Sequence, residues 1–324
     1  GWTAIGLAIG TYINWLVVAK RLRSYSVKAG NSITLPEFFS NRYRDKSKAI
    51  LAISAIIIVI FFVPYTASGF NACGTLFSSL FGVDYFTAMV VSAIVIVAYT
   101  TLGGFLAAST TDLIQSIVMT IALVVVVGFG INFAGGWDNV VVNANSMPGF
   151  LEFFNTYDPS TNASTPYNAL TVASTLAWGL GYFGMPHVLL HFMAVEDENK
   201  LKVSRRIGTV WVIISMTVAV LIGIIGYALA NKGVIAGFDS SSAAEAIIVR
   251  ISNLMASHGI IPALLAGVIL AGILSSTMST ADAQLLAAAS GISQNILQGV
   301  FHINLTEKQS MTIARITVIV IAVL

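Results

Sequence analysis

The chain has 324 residues, a net charge of +2, 56% hydrophobic and only 9% charged residues. Soluble globular domains carry about a quarter charged residues, so this composition excludes a water-covered surface, and the length accommodates several membrane crossings of about 20 apolar residues each. The single cysteine, Cys73, excludes an internal disulfide and a cysteine-built metal site.

In chain order, eight apolar stretches are expected to span a bilayer: 2–19, 49–80, 85–104, 110–134, 167–190, 207–231, 259–295 and 310–324. The second and seventh exceed a simple crossing and are expected to tilt or kink. No secretory signal pattern is present. The chain opens and stops inside apolar runs and is read as the middle of a longer transporter-sized protein. Loop 20–48 holds eight of the sixteen basic residues; loop 191–206 adds Lys200, Lys202, Arg205 and Arg206, and loop 296–309 adds Lys308. Loop 135–166 has no Lys or Arg. The positive-inside rule makes 20–48, 191–206 and 296–309 cytoplasmic, and these sides alternate as the spans require.

Four stretches carry polar chemistry inside this apolar frame. In the second span, Phe62–Gly69 combines Pro64, Gly69 and Tyr65; Tyr65 is either a core tyrosine or a phenol facing a cavity. At the start of the fourth span, Ser109, Thr110, Thr111 and Asp112 are good helix-capping residues, with capping as the default reading. In the fifth span, Gly179, Gly181, Gly184 and Pro186 weaken the helix. The glycines match G-x-G-x-x-G, but no strand context for a dinucleotide fits a run this apolar. Irregular backbone at membrane depth requires protein or a wet cavity around it. Trp178 and Tyr182, four apart, share a helix face there, as packing aromatics or as walls of a binding cavity.

The fourth stretch is Ser275–Gln284, SSTMSTADAQ. On a helix, Ser276, Ser279 and Thr280 share one face. Two hydroxyls and a carbonyl freed by a helix irregularity would suit Na⁺; equally, hydroxyls in membrane helices bond back to their own carbonyls. Asp282 either faces a polar interior with a partner or is solvated at the cytoplasmic end.

Read together, TLGGFLAASTTDLIQS, WGLGYFGMPHVLLHFMA, ILSSTMSTADAQLL and the early ITLPEFFSNRYRDKS resemble the sodium/solute symporter family, in its proline-transporting branch, along nearly the whole chain. The resemblance implies an all-α multi-pass membrane protein with a leucine-transporter-like core of two inverted five-helix repeats. Residues 1–324 would form one transporter domain covering about core helices two to nine, without the first and last. It implies inward transport of L-proline driven by Na⁺, the co-transported ion, in the cytoplasmic membrane, with no organic cofactor. Tyr65, Trp178, Tyr182 and Pro186 match the substrate-lining positions. Ser279 and Thr280 match hydroxyl ligands of the sodium site, and Ser276 the position that gives a backbone carbonyl. Asp112 matches an aspartate linked to sodium dependence. Where some members have hydroxyls for a second Na⁺, this chain has Asp282 and Ala283, which leaves a carboxylate pair, Asp112 and Asp282, in place of that site. Other solutes of the family (a sugar, a sialic acid, pantothenate) and a non-transporting sensor or channel are the alternatives. No nucleophile–base pair or metal-ligand cluster points to an enzyme. Nothing points to nucleic acid or an obligatory protein partner.

Overall fold

A computed structural model describes residues 1–158, 161–238 and 244–324, with residues 79 and 80 described by backbone alone. Residues 159, 160 and 239–243 lie outside the described residues.

The described residues are mostly helical. Helix α1 (Trp2–Ile13) passes through a π-helical turn, Asn14–Ala19, into α2 (Lys20–Lys28). Then come α3 (Leu35–Arg42), α4 (Ala49–Phe81), α5 (Tyr85–Phe133) and α6 (Trp137–Asn145). Strands β1 (Asn155–Asp158) and β2 (Ala163–Pro166) pair antiparallel, with Asn155 opposite Pro166. Helix α7 (Ala169–Leu176), a 3₁₀ segment (Ala177–Phe183) and α8 (Pro186–Ala194) follow. The remainder is α9 (Leu201–Asn231), α10 (Ile247–Ala256), α11 (Ile260–Ser290), a second π segment (Gly291–Val300) and α12 (Glu307–Val323).

Five helical stretches among the described residues are long and apolar enough to cross a membrane: Trp2–Lys28, Ala49–Ser78, Tyr85–Phe133, Leu201–Asn231 and Ile260–Val300. They account for six of the eight expected spans, because the third and fourth fuse into α5. Its 49 residues would extend about 73 Å at 1.5 Å per residue, far beyond a hydrocarbon core of about 30 Å. The division between the two crossings is a single residue: Gly104 has φ 60° and ψ −158°, outside the helical region. Only glycine enters that conformation freely. The fifth expected span is the broken stretch α7–3₁₀–α8, whose pieces are each too short to cross alone, and the eighth is α12, 17 residues long.

The described residues fall into two compact units. The first comprises Gly1–Ile13, Ile117–Tyr182 and Arg205–Ile273. Its core is aliphatic, with Val126, Val140, Ile222, Ile225, Leu229, Ile251, Met255 and Ile269 almost fully buried. Trp211 Nε1 donates to Thr120 Oγ1 at 3.0 Å, giving the indole N–H a partner within the apolar layer. The second unit comprises Asn14–Ser116, Phe183–Ser204 and Leu274–Leu324. It has two cores. One gathers Phe62, Phe70, Cys73, Ile96, Ala281, Leu285, Ala288 and Val318 from α4, α5, α11 and α12. The other gathers Ala19, Leu22, Leu35, Phe38, Leu189, Phe192 and Met193 around α2, α3 and α8. In both units the outward residues are also apolar, Ile53, Phe61, Leu106, Ile117 and Ile213 among them. That is how a helix surface solvated by lipid differs from one solvated by water.

Candidate functional site

The broken span is built locally. Asn168 caps α7, its Oδ1 accepting from Thr171 N at 2.8 Å. The helix then tightens into seven residues of 3₁₀ geometry, longer than the usual three or four. Gly184 forms a turn, and Pro186 opens α8 at a first-turn position where its missing N–H leaves no bond unmade. The expected break is therefore present, and the G-x-G-x-x-G run is led into by helix α7 and not by a strand. Trp178 is 68% exposed, and Tyr182 is partly buried and has an interaction partner within the protein. Both belong to the first unit, whereas Tyr65, Pro186, Asp112, Ser276, Ser279, Thr280 and Asp282 belong to the second.

Within the second unit the expected residues form two neighbourhoods. In the first, Phe62 links Tyr65 to the start of α8: its ring lies 6.4 Å from that of Tyr65 and 5.5 Å from that of His187, the residue after Pro186. Tyr65 is 40% exposed. One turn along α4, a Cβ placed on Gly69 would stand 3.4 Å from Ala281 Cβ and 3.8 Å from Thr277 Cγ2. The Tyr65 helix therefore packs directly against the hydroxyl-bearing part of α11.

There, Ser279 Oγ donates to Ser276 O at 3.2 Å and Thr280 Oγ1 donates to the same carbonyl at 3.1 Å. The three expected oxygens are gathered in one place. They are gathered by back-bonding on an unbroken helix, however, and the irregularity expected to free a carbonyl does not occur between Ile260 and Ser290. Each hydroxyl keeps its lone pairs for a cation while its hydrogen points at Ser276 O. Hard cations take oxygen ligands, so this donor set fits Na⁺, with the two hydroxyls as its better ligands.

In the second neighbourhood, Asp282 is fully buried, which removes the reading of a carboxylate solvated at the cytoplasmic end. Tyr99 Oη donates to Asp282 Oδ2 at 2.8 Å and lies 3.2 Å from Met278 O. Asp112 is close enough to interact electrostatically with both Tyr99 and Asp282. Asp112 Oδ1 and Asp282 Oδ1 are buried without a hydrogen-bond partner among the described residues. The capping reading of Asp112 is also corrected. Residue 112 lies inside α5, and Thr110 and Thr111 hydroxyls bond back to Leu106, Ala107 and Ala108 carbonyls instead of capping a new helix. The change of direction falls on Gly104 instead, so no helix starts at 109–112.

Sequence reasoning missed Tyr99, because its carboxylate partner is 183 residues away. It also missed Thr66, 1% exposed next to Tyr65, whose hydroxyl has no partner among the described residues. The signal available for Thr66 was a hydroxyl two residues after a proline in a mostly apolar span.

The model of the sodium:solute symporter family matches residues 1–324. The osmoregulated proline transporter OpuE of Bacillus subtilis (strain 168) is 38% identical over 324 residues, covering 100% of this chain and 62% of the relative. The high-affinity proline transporter PutP of the same organism is 37% identical over 322 residues, covering 99% and 64%. The sodium/proline symporter of Haemophilus influenzae is 38% identical over 327 residues, covering 100% and 62%. The chain thus spans about three fifths of the length of these relatives. A Na⁺-coupled sialic acid symporter, solved in a substrate-bound outward-open state, superposes with a TM-score of 0.70 at 15% identity, covering 100% of this chain and 71% of that one. The fold is therefore the expected all-α, leucine-transporter-like one, and the chain belongs to the sodium:solute symporter family.

Proposed function

We propose that the protein of which this chain is part imports L-proline with Na⁺ by alternating access across the cytoplasmic membrane. In this reading residues 1–324 are one transporter domain, with loops 20–48, 191–206 and 296–309 in the cytoplasm. The observation that carries it is the match of the whole chain, at 37–38% identity, to proteins named as proline transporters or a sodium/proline symporter. The broken helix supports it: Trp178 and Tyr182 offer flat apolar faces suited to a pyrrolidine ring, and Pro186 ends the irregular stretch that carries them.

Na⁺ is cargo here, held by Ser279 and Thr280 hydroxyls with Ser276 O beside them. The carboxylates of Asp112 and Asp282 supply negative charge for a second cation. An ion that binds the outward- and inward-facing states unequally shifts their populations, and its effect on proline affinity is matched by the effect of proline on Na⁺ affinity.

The test is uptake of radiolabelled proline into proteoliposomes holding the full-length protein, with and without an inward Na⁺ gradient. Na⁺-dependent accumulation, abolished by excess unlabelled proline, is expected. If proline fails to compete while a sugar, a sialic acid or pantothenate does, the substrate is wrong. A Na⁺ current that persists without any solute identifies a channel.

A further inference from the structure

The 3₁₀ segment 177–183 is an irregular run with exposed neighbours: Trp178 and Leu180 are each 68% exposed, and only Gly179 between them is buried. Such a run needs an outside tie to hold one conformation. The tie is on α1. Gly6 and Gly10 are buried, one turn apart on the same face, and Gly179 lies against them. A Cβ on Gly10 would overlap the carbonyl oxygen of Gly179 and stand 2.6 Å from its Cα. A Cβ on Gly6 would overlap the carbonyl oxygen of Leu176 and stand 2.8 Å from its Cα. A Cβ on Gly179 would overlap the carbonyl oxygen of Gly6 and stand 3.2 Å from Gly10 Cα. Carbon atoms in contact prefer about 3.5–4.0 Å, and each of these obstacles is backbone, which no rotamer change can move aside.

We propose that Gly6, Gly10 and Gly179 form a backbone-to-backbone seat that fixes the 3₁₀ turn against α1 and so sets where Trp178 and Tyr182 stand. The three glycines are positioning residues for solute binding, and the inference rests on the reading of those aromatics as solute-contacting. The Gly6–Gly10 pair has the small-xxx-small spacing that lets membrane helices approach closely. Here that groove is filled from within the chain, so it is not free for a second copy.

The test uses the full-length protein in proteoliposomes. Gly10→Ala is expected to raise the half-saturation constant for proline about tenfold or more, with the Na⁺ activation constant moved by less than about twofold. Gly223→Ala, on α9 with open space at its Cβ position, leaves both unchanged. A Gly10→Ala protein with an unaltered proline constant overturns the seat, and so does one that loses only maximal rate. A second measurement does not need that variant to fold. Spin labels at Ile9→Cys and Leu180→Cys, with the native glycines kept, should give one narrow distance that proline does not change; a broad or two-peaked distribution overturns the seat. Absence of proline uptake by the unaltered protein would instead sink the substrate reading, and the label-pair distance would still decide the seat.

Discussion

Two apolar stretches contain a proline with aromatic residues near it, and they fold differently. Helix α4 carries Pro64 in its interior and stays helical from Ala49 to Phe81. The stretch 169–194 gives way to a 3₁₀ run and a turn before Pro186 starts α8. Proline alone is therefore insufficient to break a span. It removes one backbone bond and crowds the preceding turn, yet α4 stays helical through Pro64. Around Pro186 the chain adds Gly179, Gly181 and Gly184, which favour helix least after proline, and it supplies the backbone of α1 as an outside support. In α4 the matching glycine, Gly69, meets only side chains, Ala281 and Thr277, at ordinary contact distance.

The difference can be probed from both sides. The largest effect is expected on the broken stretch: Trp178→Ala should raise the half-saturation constant for proline about tenfold or more, as loss of a packed aromatic face implies. If only the yield of folded protein falls, the indole is packing alone. Next comes the unbroken α11. Thr280→Ala should weaken Na⁺ activation by about fivefold to tenfold, corresponding to roughly 1–1.4 kcal/mol of lost ligation. Unchanged Na⁺ activation at normal expression would leave the hydroxyl with back-bonding as its whole role. Pro186→Ala should reduce uptake a fewfold, because α8 can then extend backwards into the turn; wild-type uptake would show that the glycines suffice to hold the break. The smallest effect on transport belongs to Pro64→Ala, expected within about twofold, with a raised melting temperature in detergent as the missing backbone bond is restored. A transport defect there as large as that of Pro186→Ala would erase the distinction between the two prolines.

Much of this was legible in the residues. The break at 177–186 followed from glycine and proline density, and the hydroxyl cluster at 276–280 followed from helical spacing. The conformation of Ser276 did not: whether a carbonyl is freed depends on what lies beside the helix, and the intact α11 turns the hydroxyls inward. The cap expected at 109–112 failed because a single glycine upstream, Gly104, absorbed the change of direction. The Tyr99–Asp282 bond joins α5 to α11 and has no local trace in sequence. The seat on α1 did leave one, in the spacing of Gly6 and Gly10, but its partner Gly179 could be identified only from the packing.

The Gly104 joint also bears on how this protein can change over evolutionary time. Helix runs up to it and away from it, so no slack separates the two crossings. Inserting or deleting one residue between Gly104 and Asp112 would rotate the second crossing by about 100° about its axis and swing Asp112 away from Tyr99 and Asp282. Length variation is closed at this point, whereas the polar stretch 135–166, which carries none of the candidate residues, can absorb it. Descendants of this sequence should differ in length there and hold the count between Gly104 and Asp112 fixed.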